Sequence, residues 1–86
     1  MQSIKHPIDF IFSQRLEQFM IAHELYPKDV ERLTGIRARK IYKYVQGQNQ
    51  PSIYALKRIA EGLHVSADWL LGIKKNSATK GTDNLV

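Results

Sequence analysis

Four cations fall within the eight residues from Ile36 to Lys43, namely Arg37, Arg39, Lys40 and Lys43, in the stretch IRARKIYKYVQGQNQP. Their chemistry is recognition of anions. A planar guanidinium can hold guanine O6 and N7, or a phosphate, with two parallel bonds, whereas an ammonium serves either target as a point charge. A charged run is ordinarily no more than a solvated helix face, so its neighbours decide. No carboxylate occurs between Ile36 and Ala60, although the chain holds eight acidic residues. Nothing in this segment would repel a phosphate. If it is helical, at about 100° per residue, Arg39 and Lys43 share one face while Ile41 and Tyr44 fall toward the other.

Other chemistries find little support. There is no cysteine, which excludes thiol nucleophiles, disulfides and thiolate metal sites and makes a cytosolic setting the natural default. His6, His23 and His64 are far apart with no partner at ligand spacing, so no metal site is expected. Glycine-rich phosphate loops and paired carboxylates are missing, and a chain of 86 residues is too small to enclose a cleft. Neither an enzyme nor a cofactor is expected. The length suits one domain with a small core. At 43% hydrophobic and 24% charged residues it has the balance of a chain that folds. A net charge of +5 favours a polyanionic partner, nucleic acid or an acidic membrane surface. The start MQSIKHPIDFIF lacks the pattern of a secretory signal, and no apolar run approaches the roughly 18 residues of a spanning helix. Cytoplasmic location and no membrane partner are therefore expected.

The basic segment needs elements to position it. From Asp9 to Leu25, the apolar residues Ile11, Phe12, Leu16, Phe19, Met20 and Ile21 recur at helical spacing. Asp9 and Ser13 are alternative caps for this helix, which should stop near His23 or Glu24. Pro27 suits the first turn of a second helix with Val30 and Leu33 facing inward. Gly35 marks a tight turn, Ile36 should enter the core, and a third helix runs from Ala38 to Val45 with Ile41 and either Tyr44 or Val45 inward. Gly47 closes it. After the polar loop QGQNQPS, Ser52 caps a fourth helix through Ile53, Leu56, Ile59 and Ala60, which Gly62 should end. Ser66 caps a short fifth helix, ADWLL, stopped by Gly72. No strand alternation or internal repeat is visible. The expected fold is all-α, a compact bundle of four to five short helices. Residues 1–12 read as an N-terminal extension and start of the first helix, 13–73 as the domain, and 74–86 as a disordered tail.

A short helix, a glycine turn with an apolar residue beside it, and a second short helix have the spacing of a helix-turn-helix, whose second helix enters the major groove. From about Arg15 to Gly72 the sequence resembles the Cro/CI-type (XRE-like) helix-turn-helix domains of phage repressors and bacterial regulators. The segments VERLTGI, IYKYVQGQNQPS, LKRIAEGLHVS and ADWLLG carry the likeness, in order and without gaps. The resemblance implies a lambda-repressor-like bundle and a sequence-specific regulator of transcription that binds a double-stranded DNA operator. It implies that a repressor works by occupying that operator as a homodimer, in the cytoplasm of a bacterial or phage-infected cell and associated with the nucleoid. By position, the family's base-reading sites fall on Ala38, Arg39 and Lys43. Arg37 and Lys40 match flanking sites that touch phosphates or a base edge, and Gln46, Gly47 and Gln48 lie in the loop that approaches the DNA backbone. Apart from the resemblance, Tyr42 reads as an exposed ring or a phosphate donor, and Lys28 as a further backbone candidate. Three departures stand out. Pro27 replaces an early glutamine of the second helix, and Glu31 replaces a small packed residue, which implies a looser contact or an ion pair with Arg32 or Lys28. Arg37 stands where a capping serine or threonine is common, which costs the first turn roughly 0.5 to 2 kcal/mol.

Two readings of PIDFIF, with its apolar Ile8, Phe10 and Phe12, stand: a first helix folded on its own core, or a dimer contact, for which Phe10 and Phe12 are the candidates. Trp69, Leu70 and Ile73 form the rival dimer surface. The alternative function is a protein-interaction module, antitoxin-like or anti-repressor, in which a protein partner takes first place and DNA second. RNA is a weaker fit, because no sheet presents aromatic stacking platforms.

Overall fold

The computed structural model describes residues 7–75, with side chains from Phe10 onward, as five helices and no strand. These are α1 (Pro7–Ala22), α2 (Pro27–Thr34), α3 (Ala38–Val45), α4 (Ile53–Leu63) and α5 (Ala67–Leu70). The all-α expectation holds. Residues 1–6, the Ile8 side chain and most of the tail, residues 76–86, lie outside the described part.

α1 buries Phe12, Leu16 and Met20, spaced by four so that they form one stripe. Neither expected cap starts it, because the helix is already under way at Pro7. Ser13 sits in the second turn, where its hydroxyl donates to the Phe10 carbonyl at 3.1 Å. The helix ends at Ala22, and the amides of Leu25 and Glu24 close back onto the carbonyls of Met20 (2.7 Å) and Ile21 (3.1 Å).

α2 begins at Pro27, where the missing N–H is no loss, and the Tyr26 amide donates to the Asp29 carboxylate at 2.8 Å. Val30 faces inward as expected; Leu33 does not, being 50% exposed. Thr34 takes the inner position four residues after Val30. A hydroxyl can be buried there because it donates to the Val30 carbonyl (2.7 Å) and accepts from the Ile36 amide (3.1 Å). Gly35 turns the chain at φ +81°, where a side chain would be strained, and Ile36 drops into the core.

α3 has the expected bounds and buries both Ile41 and Tyr44. Ser52 Oγ accepts from the Ala55 amide at 3.0 Å and caps α4 as expected. That helix does not stop at Gly62. It continues to Leu63, and His64 takes the left-handed closing conformation at φ +56°. Gly62 instead lets α4 approach the end of α2: a Cβ there would collide with the Leu33 carbonyl oxygen and stand 2.9 Å from Thr34 Cγ2. Ser66 Oγ accepts from the Trp69 amide at 3.2 Å to cap α5.

The core joins Phe12 and Leu16 of α1, Val30 of α2, Ile41 and Tyr44 of α3, Ile59 of α4, Val65 of the link that follows it, and Leu70 of α5. Phe12 and Tyr44 meet edge to face, with ring centroids 5.7 Å apart at 79°. α3 packs against both α1 and α2, α4 braces α2, and α5 returns to α1. That last joint is tied by Arg15. Its Nη1 donates to the carbonyls of Trp69 (2.7 Å) and Lys74 (2.9 Å), and its guanidinium lies 5.2 Å from the centre of the Trp69 ring. Two of the expected dimer residues are corrected by this packing. Phe12 at 1% exposure and Leu70 at 0% are interior and offer a second copy no surface.

Candidate nucleic-acid interface

The inward anchors of α3 fix what its other faces present. With Ile41 and Tyr44 buried, the roughly 100° step per residue carries Arg39, Tyr42, Lys43 and Gln46 to the outer side. Lys40 lies on the flank toward the turn, and Ala38, half-buried, on the opposite flank. Arg37, Arg39, Lys40, Tyr42 and Lys43 are all exposed. Among the described residues the one ion pair is Arg32 to Asp29 at 2.9 Å, so none of the four α3-segment cations is neutralised within the fold.

The structure gathers Arg37, Arg39, Lys40 and Lys43 around one surface depression, and adds Asn49 from the following loop. Sequence reasoning missed Asn49; only its place in the loop after Gly47 hinted at it. Gln46 and Gln48 are exposed where α3 closes, and the Gln48 amide is held by the Lys43 carbonyl at 2.9 Å. Lys28 is exposed on the first turn of α2 and does not line this depression.

A second depression beside the turn is lined by Arg37 and Lys40 together with Tyr54 and Arg58 of α4. Arg58 braces the turn. Its Nε donates to the Thr34 carbonyl at 2.8 Å, its Nη1 donates to the Tyr54 hydroxyl at 2.7 Å, and its other nitrogen packs where a Cβ on Gly35 would stand. It satisfies the end of α2, a role a cation fills well because helix C-termini carry negative dipole charge. The separation of 24 residues between Arg58 and Thr34 hides this contact from any local pattern.

Glu31 also differs from expectation. It pairs with neither Arg32 nor Lys28; Arg32 goes to Asp29. The Glu31 carboxylate instead accepts the Ala38 amide, at 3.1 Å, across the turn. Arg37 occupies the N-cap of α3 and makes no side-chain cap bond, as expected. Within the core under this surface, burial pushes the Tyr44 phenol above its ordinary pKa. No group of three or more histidine, aspartate or glutamate side chains among the described residues could hold a metal ion.

A bracing helix, a glycine turn and a following helix whose outer face is an unpaired cationic surface define a DNA-binding helix-turn-helix domain. A helix-turn-helix family model matches residues 16–70, nearly two thirds of the chain, and the chain belongs to that Cro/CI-type (XRE-like) family. It is a family of DNA-binding regulators rather than of enzymes. No curated protein and no solved structure matches the chain. Among the described residues no helix is long and apolar enough to cross a membrane.

Proposed function

We propose that this protein is a sequence-specific transcriptional repressor that occupies a double-stranded DNA operator as a homodimer, in the cytoplasm and on the nucleoid. The observation that carries the reading is the exposed, unpaired cluster Arg37, Arg39, Lys40 and Lys43 on a helix fixed to the core by Ile41 and Tyr44. Arg39 and Lys43 are the base readers, with Ala38 small enough to meet a thymine methyl. Arg37, Lys40, Tyr42, Gln46, Gln48 and Lys28 hold the backbone, which sets register without reading sequence. For the dimer contact, Phe10 at 43% exposure and Ile73 at 69% keep apolar surface, and the half-buried Trp69 shortly precedes Ile73 in sequence.

Selection of bound sequences from a random duplex pool tests this. The expected product is a palindrome with half-sites about one helical turn apart, which reveals both the read bases and the two-fold symmetry. With about six to ten phosphate contacts, affinity for the winner should fall roughly a thousandfold or more between about 50 and 200 mM salt. A pool that shows no enrichment and no salt-sensitive retention would overturn the DNA reading and favour a protein partner.

A further inference from the structure

Arg37 and Glu31 depart from the family's usual residues at two positions that the fold brings together. The N-cap position of α3 has been given to a guanidinium that caps nothing. The capping oxygen comes from the preceding helix, seven residues earlier, where Glu31 Oε1 accepts the Ala38 amide. The other early amides of α3 that have partners, those of Lys40 and Ile41, use the Arg37 carbonyl at 2.9 and 3.0 Å. α3 has no acid in its own first turn, so Glu31 also supplies the negative charge that the positive end of that helix attracts.

We infer that Glu31 is a positioning residue for DNA reading: it caps the recognition helix from α2, aligns the turn bearing Ala38 and Arg39, and thereby leaves Arg37 free to grip a phosphate. This rests on the DNA-reading function proposed above. A serine or threonine at position 37 would cap α3 locally but bring no charge to the duplex. Moving the cap to Glu31 keeps the helix end satisfied and adds a cation beside Lys40 in the depression that both line. It also joins the two helices of the motif by a bond, so the helix that braces on the backbone and the helix that reads bases shift together.

Amide exchange in the free protein and binding to a duplex taken from the random-pool selection test the two halves separately. Glu31→Ala is expected to speed exchange of the Ala38 amide by about two- to thirtyfold, the factor of a lost cap. It should also flatten the preference at the base pair read by Arg39. Glu31→Gln, which keeps an acceptor oxygen of the same reach, should restore most of both. Adding Arg37→Ser to Glu31→Ala should restore the base preference through a local cap on the Lys40 amide, as Ser52 and Ser66 cap the third amide of their helices, while the Ala38 amide stays fast. The salt slope should then fall by about one for each half-site, because one phosphate contact is gone. Unchanged Ala38 exchange in Glu31→Ala overturns the cap. Faster exchange with the base preference intact overturns the positioning role. A parent chain that binds no duplex overturns the DNA reading and with it that role, while the exchange result still decides the cap.

Discussion

Gly62→Ala sets two rules against each other. In an ordinary helix interior, alanine is better than glycine by roughly 0.5 to 1 kcal/mol, because glycine loses more backbone freedom on folding. Gly62 lies inside α4, one residue before its end, so propensity alone predicts a more stable protein. Its surroundings predict the opposite. The new methyl would overlap the Leu33 carbonyl oxygen and come within 3.0 Å of the Leu33 carbonyl carbon and 2.9 Å of Thr34 Cγ2. Two of those three atoms are backbone, which cannot rotate aside as a side-chain tip can, so α2 and α4 must separate. Overpacking of this kind costs about 1 to 3 kcal/mol, which leaves a net loss of about 1 kcal/mol at the middle of both ranges, and up to about 2.5 kcal/mol, after the propensity gain. Equilibrium unfolding in urea reads this directly: the midpoint should fall while the slope stays unchanged. The melting temperature should drop by about 4 to 8 °C for each kcal/mol lost in a domain this size. The displaced atoms belong to Leu33 and Thr34, next to the Thr34 carbonyl that Arg58 holds, so duplex affinity should fall as well. A midpoint equal to or above that of the parent would refute the argument, because it would mean that the two helices can part at no cost.

Arg39→Ala should erase discrimination at one base pair per half-site, worth about 1 to 3 kcal/mol, whereas Lys40→Ala should weaken all sequences alike and lower the salt slope by about one for each half-site; repeated selection and salt titration distinguish them. Ser52→Ala removes the acceptor of the Ala55 amide and should cost about 1 kcal/mol in urea unfolding, with Ser52→Asp close to the parent. The buried Tyr44 phenol has its pKa raised in the folded state by desolvation. Its contribution is therefore complete below the unfolded value of about 10 and is lost as pH rises through the higher folded value. Stability measured from about pH 8 to 11 should decline at the alkaline end, and the decline should be smaller in Tyr44→Phe.

What the sequence made legible was set by local rules. The bounds of α3, the turn at Gly35 and the caps at Ser52 and Ser66 follow from residues within four positions of one another, and the structure has each of them. Local rules failed where a distant partner decided. Gly62 reads as a helix stop until the carbonyl of Leu33 is placed against it. Leu33 reads as core, but burial follows the pair Val30 and Thr34, since Thr34 can satisfy its hydroxyl on the backbone and Leu33 faces outward. Phe12 and Leu70 read equally well as core or as dimer surface, because apolar spacing does not say which apolar neighbour covers a residue. The outward cations of α3 were legible because Ile41 and Tyr44 fix the phase of the helix. Their supports, Glu31 and Arg58, were not, because each acts across a turn or between helices.

The Arg15 clasp has a kinetic consequence. It joins residues 54 and 59 positions apart, so the loop it closes is nearly the whole described chain. Closing a longer loop costs more chain entropy, and the adjacent helix pairs can form without it. The clasp therefore belongs to the last stage of folding, and its loss is felt on the way out rather than on the way in: Arg15→Met should leave the refolding rate close to that of the parent and raise the unfolding rate. The grip of α1 on the end of the chain would then set how long a folded molecule lasts, and have little bearing on how quickly it forms.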